Sequence, residues 1–211
     1  MPFTLCIFDL DGTLVDTGGD ITNAVNDVLE YYRIERMERK TVVGYVGDGI
    51  RKLVERCTVG HPIDIDEAVS LFKEAYTRRL VETTRPYPGV VETLDRLAGR
   101  VKTVLTNKSY PFTRKILARL NLEKYFSMVI GGDTFERKKP HTDAVDHILR
   151  NTGAQKADAV MIGDGKNDVL TARNAGICSV FVTYGFGSLD GLGELKPDFV
   201  IHSPEELMKI C

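Results

Sequence analysis

Short apolar runs alternate with amphipathic stretches along most of the chain. Thr4 to Phe8, Val101 to Leu105, Met128 to Ile130, Ala159 to Ile162, Cys178 to Val182 and Phe199 to Ile201 are nearly continuous in hydrophobic residues. That is the pattern of strands buried on both faces. Between them apolar residues return at helical spacing, as in Phe112, Ile116, Leu117 and Leu120, then Ala144, Ile148 and Leu149, then Val169, Ala172 and Ala175. Strand–helix alternation of this kind predicts an α/β fold built on a parallel sheet.

The segment from Asp16 to Arg85 departs from this rhythm. Three helical stripes follow one another: Ile21, Ala24, Val25, Val28, Leu29 and Tyr32; Ile50, Leu53, Val54 and Cys57; and Ile65, Ala68, Val69, Phe72, Ala75, Tyr76 and Leu80. No run in it reads as a strand, so the segment is expected to be an all-helical insertion after the first strand. Arg85-Pro86-Tyr87-Pro88-Gly89 then stops any helix and suits a hinge. The expected division is a core of residues 1–15 and 87–211 with an inserted helical domain of residues 16–86.

A chain of 211 residues fits one core with a sizeable insertion. Its net charge of −2, with both signs interspersed, lacks the basic footprint of a nucleic-acid binder. Cys6, Cys57, Cys178 and Cys211 are far apart with no CxxC pair, which speaks for a reducing cytoplasm and against a disulfide framework. Asp9 and Asp11 come too early to leave room for a signal peptide's apolar region. No apolar run has the length of a membrane span. The expectation is a soluble cytoplasmic protein, monomer or homodimer, with neither membrane nor nucleic acid as partner.

Candidate chemistry begins where the first apolar run ends, at Phe8-Asp9-Leu10-Asp11-Gly12-Thr13. In an extended chain, positions two apart face the same side, so Asp9 and Asp11 can address one site. Two carboxylates ~4 Å apart repel by on the order of 4 kcal/mol at an effective dielectric of ~20, and something must offset this. A second acidic cluster, Gly163-Asp164-Gly165-Lys166-Asn167-Asp168, again follows an apolar run. Carboxylates gathered at strand ends suit a hard divalent cation, for which Mg²⁺ with a phosphate is the usual pairing.

These two stretches resemble the first and last signatures of the haloacid-dehalogenase-like (HAD) hydrolase superfamily, Asp-x-Asp-Gly-Thr and Gly-Asp-x-x-x-Asp. Two middle signatures have matches in the right order: Thr106 after Val101 to Leu105, and Lys139 before Pro140. Either middle match alone is what a helix cap or a surface turn provides; four in order are specific. The resemblance covers essentially the whole chain. It implies a Rossmann-like parallel sheet core with an inserted all-helical cap domain, and a sheet order that puts the first strand beside the fourth.

The resemblance also implies roles. Asp9 would be the nucleophile that accepts phosphate, Asp11 the general acid and then base, and Lys139 the cation that balances their charge. Thr106 and the Asn107 amide would bind phosphoryl oxygens. Mg²⁺ would be held by Asp9, Asp164, the backbone carbonyl of Asp11 and Asp168. Asp11 separates the chain from the superfamily's dehalogenases, which lack the second aspartate. Val46-Gly47-Asp48-Gly49, Leu105-Thr106-Asn107-Lys108 and Thr183-Tyr184-Gly185 look like the phosphoglycolate phosphatases of the helical-cap branch. The implied activity is hydrolysis of a small phosphate ester such as 2-phosphoglycolate. Pyrophosphatases, sugar-phosphate phosphatases and, further off, phosphomutases share much of the pattern. Lys108 and Arg51 are candidate contacts to the substrate's anionic groups.

Overall fold

The computed structural model describes residues 3–211. Among the described residues, eight strands and eight α-helices follow one another. β1 (Leu5–Phe8) and β2 (Val15–Asp16) come first, then α1 (Gly18–Tyr31), α2 (Arg39–Val43), α3 (Ile50–Cys57) and α4 (Ile65–Arg79). After these come β3 (Arg85–Pro86), α5 (Val90–Arg96), β4 (Val101–Leu105), α6 (Tyr110–Arg119) and β5 (Met128–Ile130). The chain ends with α7 (Asp143–Thr152), β6 (Ala159–Gly163), α8 (Lys166–Ala175), β7 (Cys178–Val182) and β8 (Phe199–Ile201).

Six strands form one parallel sheet in the order β5-β4-β1-β6-β7-β8. β1 sits at its centre, Leu5 to Phe8 pairing with Val101 to Val104 on one side and with Ala159 to Ile162 on the other. Both neighbours of β1 thus end beside it, and the order reverses at this point. Such a switch, at the carboxyl ends of parallel strands, is where open α/β sheets form ligand crevices. Every residue of β1 and β6 is buried. That burial explains why these strands are hydrophobic at every position and do not alternate.

The four helices α1–α4 lie between β1 and β4 in sequence and pack on one another, α1 against α2 and α4, and α3 against α4. Their stripes are the predicted ones. Ile21, Ala24, Val25, Val28 and Leu29 of α1 meet Ala68, Phe72, Ala75 and Tyr76 of α4 in one buried cluster. The segment is not wholly strand-free, contrary to the expectation. β2 and β3 pair antiparallel, Val15 with Pro86 and Asp16 with Arg85, as the chain leaves and rejoins the sheet. A ribbon of two residues per strand carries too short a pattern to show period two, and Pro86 is tolerated because the ribbon has no further strand to bond. α2 was also not foreseen; only Val42 of its five residues is buried, so it has no stripe.

Asp20, fully buried near the start of α1, fastens the return of this segment. Its carboxylate accepts from the backbone N–H and hydroxyl of both Thr83 and Thr84, at 2.6–3.0 Å. Burial raises its pKa, but these four bonds outweigh it and leave the group below the usual carboxylate range. Among the described residues, no helix is long and apolar enough to cross a membrane.

Candidate active site

Asp9 follows β1 directly, its N–H donating to the Ile162 carbonyl of β6 at 2.9 Å. That bond fixes where the β1 loop starts relative to the β6 loop. As a result Asp9 meets Asp164 and Asp168 from the far end of the sequence: one oxygen from each of the three lies within 4.8 Å of the others. Lys139 enters from the loop before α7, with its Nζ 3.0 Å from Asp9 Oδ1 and 2.6 Å from Asp168 Oδ1. It is 5% exposed, so this ammonium is an internal charge held by two anions.

Asp164 is the most constrained of the three acids. Its Oδ2 accepts the Phe186 and Gly187 N–H groups at 2.7 and 3.2 Å, and its Oδ1 accepts the Thr13 hydroxyl at 3.2 Å. Asp168, in the first turn of α8, accepts the Gly165 N–H at 2.9 Å, a place where the helix dipole favours a negative charge. Burial, followed by the charges of Asp9 and Asp168, pushes the Asp164 carboxyl up to about 7. Asp9 is pushed up to about 6, again chiefly by burial, with Lys139 opposing and Asp168 and Asp11 adding. The raised values of Asp9 and Asp164 mean that one lysine does not balance the charge of this cluster. A hard divalent cation fits this donor set, all oxygens and all anionic.

The two aspartates of the first loop do not share one partner. Asp11 turns to a different cation: Lys108 Nζ lies 3.1 Å from each of its carboxylate oxygens, and the Thr17 hydroxyl donates at 2.6 Å. Each of the two acids thus has its own lysine, Lys139 for Asp9 and Lys108 for Asp11. Gly12 turns the chain just after Asp11 with φ of +81°, and a Cβ there would clash with Asp164 Oδ2. Gly12→Ala is therefore expected to cost about 1–3 kcal/mol of stability through backbone strain and to displace Asp164. Thermal melts and activity assays of the variant check both effects.

Thr106 and Asn107 follow β4. The Thr106 N–H is tied to Ile130, and its hydroxyl accepts the Lys108 N–H. The Asn107 side chain donates to the Gly47 carbonyl at 2.8 Å and the Lys139 carbonyl at 3.1 Å, while its Oδ1 is buried without a partner. Asp9, Asp11, Thr106, Asn107, Lys108, Lys139, Asp164 and Asp168 all line a single cavity of about 530 Å³. Part of its wall is apolar and comes from the inserted helices and α6, with Ile21, Leu53, Phe72, Tyr76 and Phe112; the Gly44–Gly49 loop and Arg56 also line it.

Arg51 is the expected contact that the structure does not place here. Its guanidinium pairs with Asp66 and Glu55 on the surface, half exposed, and does not line the cavity. In α3, Ile50 and Leu53 face the cavity, and Arg51 falls on the solvent side of the helix. The sequence also gave no sign of a crossing between the inserted loop and the sheet. Gly47 and Asp48 accept from Asn167 at 3.1 and 2.8 Å, Asp48 pairs with Arg56, and Lys138 reaches the Asp48 carbonyl. The Gly44–Gly49 loop therefore covers the cavity and bonds to the loops that carry Thr106, Lys139 and Asp164. The contacts from this loop to Asn107, Lys138 and Asn167 span 60 to 120 residues in sequence, which hides them from any local pattern.

Comparison with known proteins agrees with this geometry. The model of the haloacid dehalogenase-like hydrolases matches residues 6–182. Phosphoglycolate phosphatase from Caulobacter vibrioides is 38% identical over 211 residues, covering 97% of this chain and 89% of its own. The enzyme of that name from Agrobacterium fabrum is 36% identical over 93% of this chain and 87% of its own. Among solved structures, that of a predicted phosphoglycolate phosphatase from Haemophilus somnus superposes with a TM-score of 0.93 at 27% identity, covering 99% of this chain and 97% of that one.

Proposed function

Since the chain belongs to the haloacid dehalogenase-like hydrolases and is a phosphatase of that family, we propose that it is a Mg²⁺-dependent phosphomonoesterase that works through an aspartyl-phosphate on Asp9 and takes 2-phosphoglycolate as substrate. The observation that carries this reading is the convergence of Asp9, Asp164, Asp168 and Lys139 at the carboxyl ends of β1 and β6. The substrate is taken from the names of the relatives. The four free thiols suit a reducing cytoplasm.

Asp9 is the nucleophile in this reading. A carboxylate oxygen attacks phosphorus in line, the P–O bond to the leaving alcohol breaks, and an acyl phosphate remains. Asp11 gives its proton to the leaving oxygen, then removes one from the water that hydrolyses the intermediate. Lys139 offsets charge on Asp9 and on the phosphoryl oxygens, to which Thr106 and the Asn107 amide donate. Mg²⁺, held by Asp9, Asp164, Asp168 and the Asp11 main-chain carbonyl, would supply charge stabilisation for the transferring phosphoryl group. Residues 16–86 serve as a cap over the cavity, excluding water and selecting the leaving group. Their covering loop already bonds to Asn107, Lys138 and Asn167.

Phosphate release from 2-phosphoglycolate, pyrophosphate and a set of sugar phosphates, with Mg²⁺ and with excess EDTA, tests the reading. The expected result is a lead of phosphoglycolate in kcat/KM, loss of activity in EDTA, and recovery when Mg²⁺ is restored. A wide lead for pyrophosphate or a sugar phosphate removes the substrate name and leaves the reaction class standing. Full activity in EDTA removes the metal.

A further inference from the structure

Lys108 is 8% exposed and reaches the cavity from the loop after β4. Its ammonium forms an ion pair with the Asp11 carboxylate, 3.1 Å away. An ammonium has three donors. Both hydrogen bonds that Lys108 Nζ forms among the described residues go to Asp11, which leaves one donor directed elsewhere. On its other side the ammonium lies 4.6 Å from the centre of the Tyr76 ring. Tyr76 comes from α4, on the opposite side of the cavity from the sheet. Its ring is stacked on Phe72 at 5.5 Å and met edge-on by Phe112 at 5.1 Å, so its position is fixed. Its hydroxyl is buried and has no hydrogen-bond partner, which is costly unless a ligand supplies one.

A buried ammonium with one donor not directed at Asp11 therefore stands beside a buried hydroxyl without a formed hydrogen bond among the described residues, against the apolar rings of Phe72 and Phe112. The other cations at the cavity do not offer this. Lys139 is engaged by Asp9 and Asp168, Arg56 by Asp48 and the Tyr45 carbonyl, and Lys166 lies on the exposed side. In the mechanism above, Asp11 turns to the ester's bridging oxygen, and Lys108 then lacks its anion at the moment of bond breaking.

We propose that Lys108 and Tyr76 form a carboxylate subsite for the leaving group, which makes Lys108 the residue that selects phosphomonoesters bearing a second, singly charged anion close to the ester oxygen. The inference rests on the reading of Asp9 and its neighbours as the phosphoryl site. One ammonium and one hydroxyl match the two oxygens of a carboxylate. They do not match the double charge of a second phosphate. Because one donor comes from the loop after β4 and the other from α4, the subsite is complete only when the inserted helices lie over the sheet. Binding the carboxylate then holds the cavity closed.

The test is the ratio of kcat/KM for 2-phosphoglycolate to that for 2-hydroxyethyl phosphate, which replaces the carboxylate by a neutral alcohol of similar size. The wild type should favour phosphoglycolate by roughly 30-fold or more, the scale of charge-assisted hydrogen bonds. Lys108→Met should remove most of that preference, whatever common slowing both esters show from loss of the Asp11 contact. Lys108→Arg should keep a large part of it, and Tyr76→Phe should lower it about 3- to 10-fold. An unchanged ratio in Lys108→Met and Tyr76→Phe overturns the subsite and leaves Lys108 as a positioning residue for Asp11. If thermal melts show Lys108→Met unfolded, Lys108→Arg and Tyr76→Phe decide. A wild type that hydrolyses both esters equally well refutes this inference alone. Failure to hydrolyse any phosphomonoester refutes the underlying phosphatase reading.

Discussion

Asp9→Asn is expected to lower turnover by on the order of 10⁴-fold or more, as for other essential nucleophiles, and to raise the melting temperature measured in EDTA. The two effects share one cause. Burial and the neighbouring acids push Asp9 from its ordinary 3.8 up to about 6. A carboxyl whose pKa is higher folded than unfolded contributes stability below the unfolded value, and that contribution is lost as the pH rises through the folded one. Above pH 6 the ionised Asp9 therefore strains the metal-free fold. An amide keeps the shape without the charge, and Lys139 still has Asp168, 2.6 Å away. The expected gain at pH 7.5 is roughly 1–2 kcal/mol, or about 2–8 °C for a chain of this size, shrinking toward pH 4. Saturating Mg²⁺ should reverse the order, since the wild type binds the ion more tightly and is stabilised by it. Calorimetry at both pH values, with and without Mg²⁺, reads each part. Retained turnover displaces Asp9 as nucleophile, and a lower melting temperature in EDTA refutes the charge argument.

Such a site, unstable when empty, is legible in sequence only in pieces. Asp9, Asp11, Asp164 and Asp168 could be found because each pair sits at the end of an apolar run, and burial on both faces makes those runs conspicuous. The inner strands of the main sheet were visible for the same reason, whereas the edge strands β5 and β8, each with only its last residue buried, showed as short apolar runs. Lys139 and Thr106 lie in stretches whose local pattern equally describes a turn and a cap, and only their order beside the acidic pairs distinguished them. What the sequence hid is pairing across distance. Lys108 meets Asp11 over 97 residues and Asn167 meets Gly47 over 120, and no periodicity encodes either. Phe72 and Tyr76 appeared as one helix stripe. That stripe divides its contacts between the core of the inserted helices and the cavity wall, a division set by how α4 lies over the sheet. Arg51 failed for a related reason: a cation near a candidate cavity in sequence is placed by the helix turn it occupies, and here that turn faces solvent.

Asp11→Asn should separate esters by the basicity of the alcohol they release. With a poor leaving group such as glycolate, loss of a positioned acid is expected to slow turnover by about 10²–10⁴-fold, the usual worth of general acid catalysis. With p-nitrophenyl phosphate, whose phenolate leaves without protonation, the first step needs no acid and Asp9 should still be phosphorylated. The intermediate then depends on a base to activate water, and Asp11 is also that base. The variant should therefore release p-nitrophenol in a burst close to one equivalent per site, followed by slow turnover, with the phosphoryl group on Asp9. Rapid-quench kinetics and mass spectrometry of the quenched protein measure the burst and the adduct. The position of Asp11 supports the division of labour: its carboxylate stands apart from the three that converge on one point and is held by Lys108 and Thr17, so it can move to the ester oxygen without disturbing that cluster. An Asp11→Asn protein that slows both esters equally and shows no burst would place this residue with the charge-balancing groups and leave the acid to be found elsewhere in the cavity.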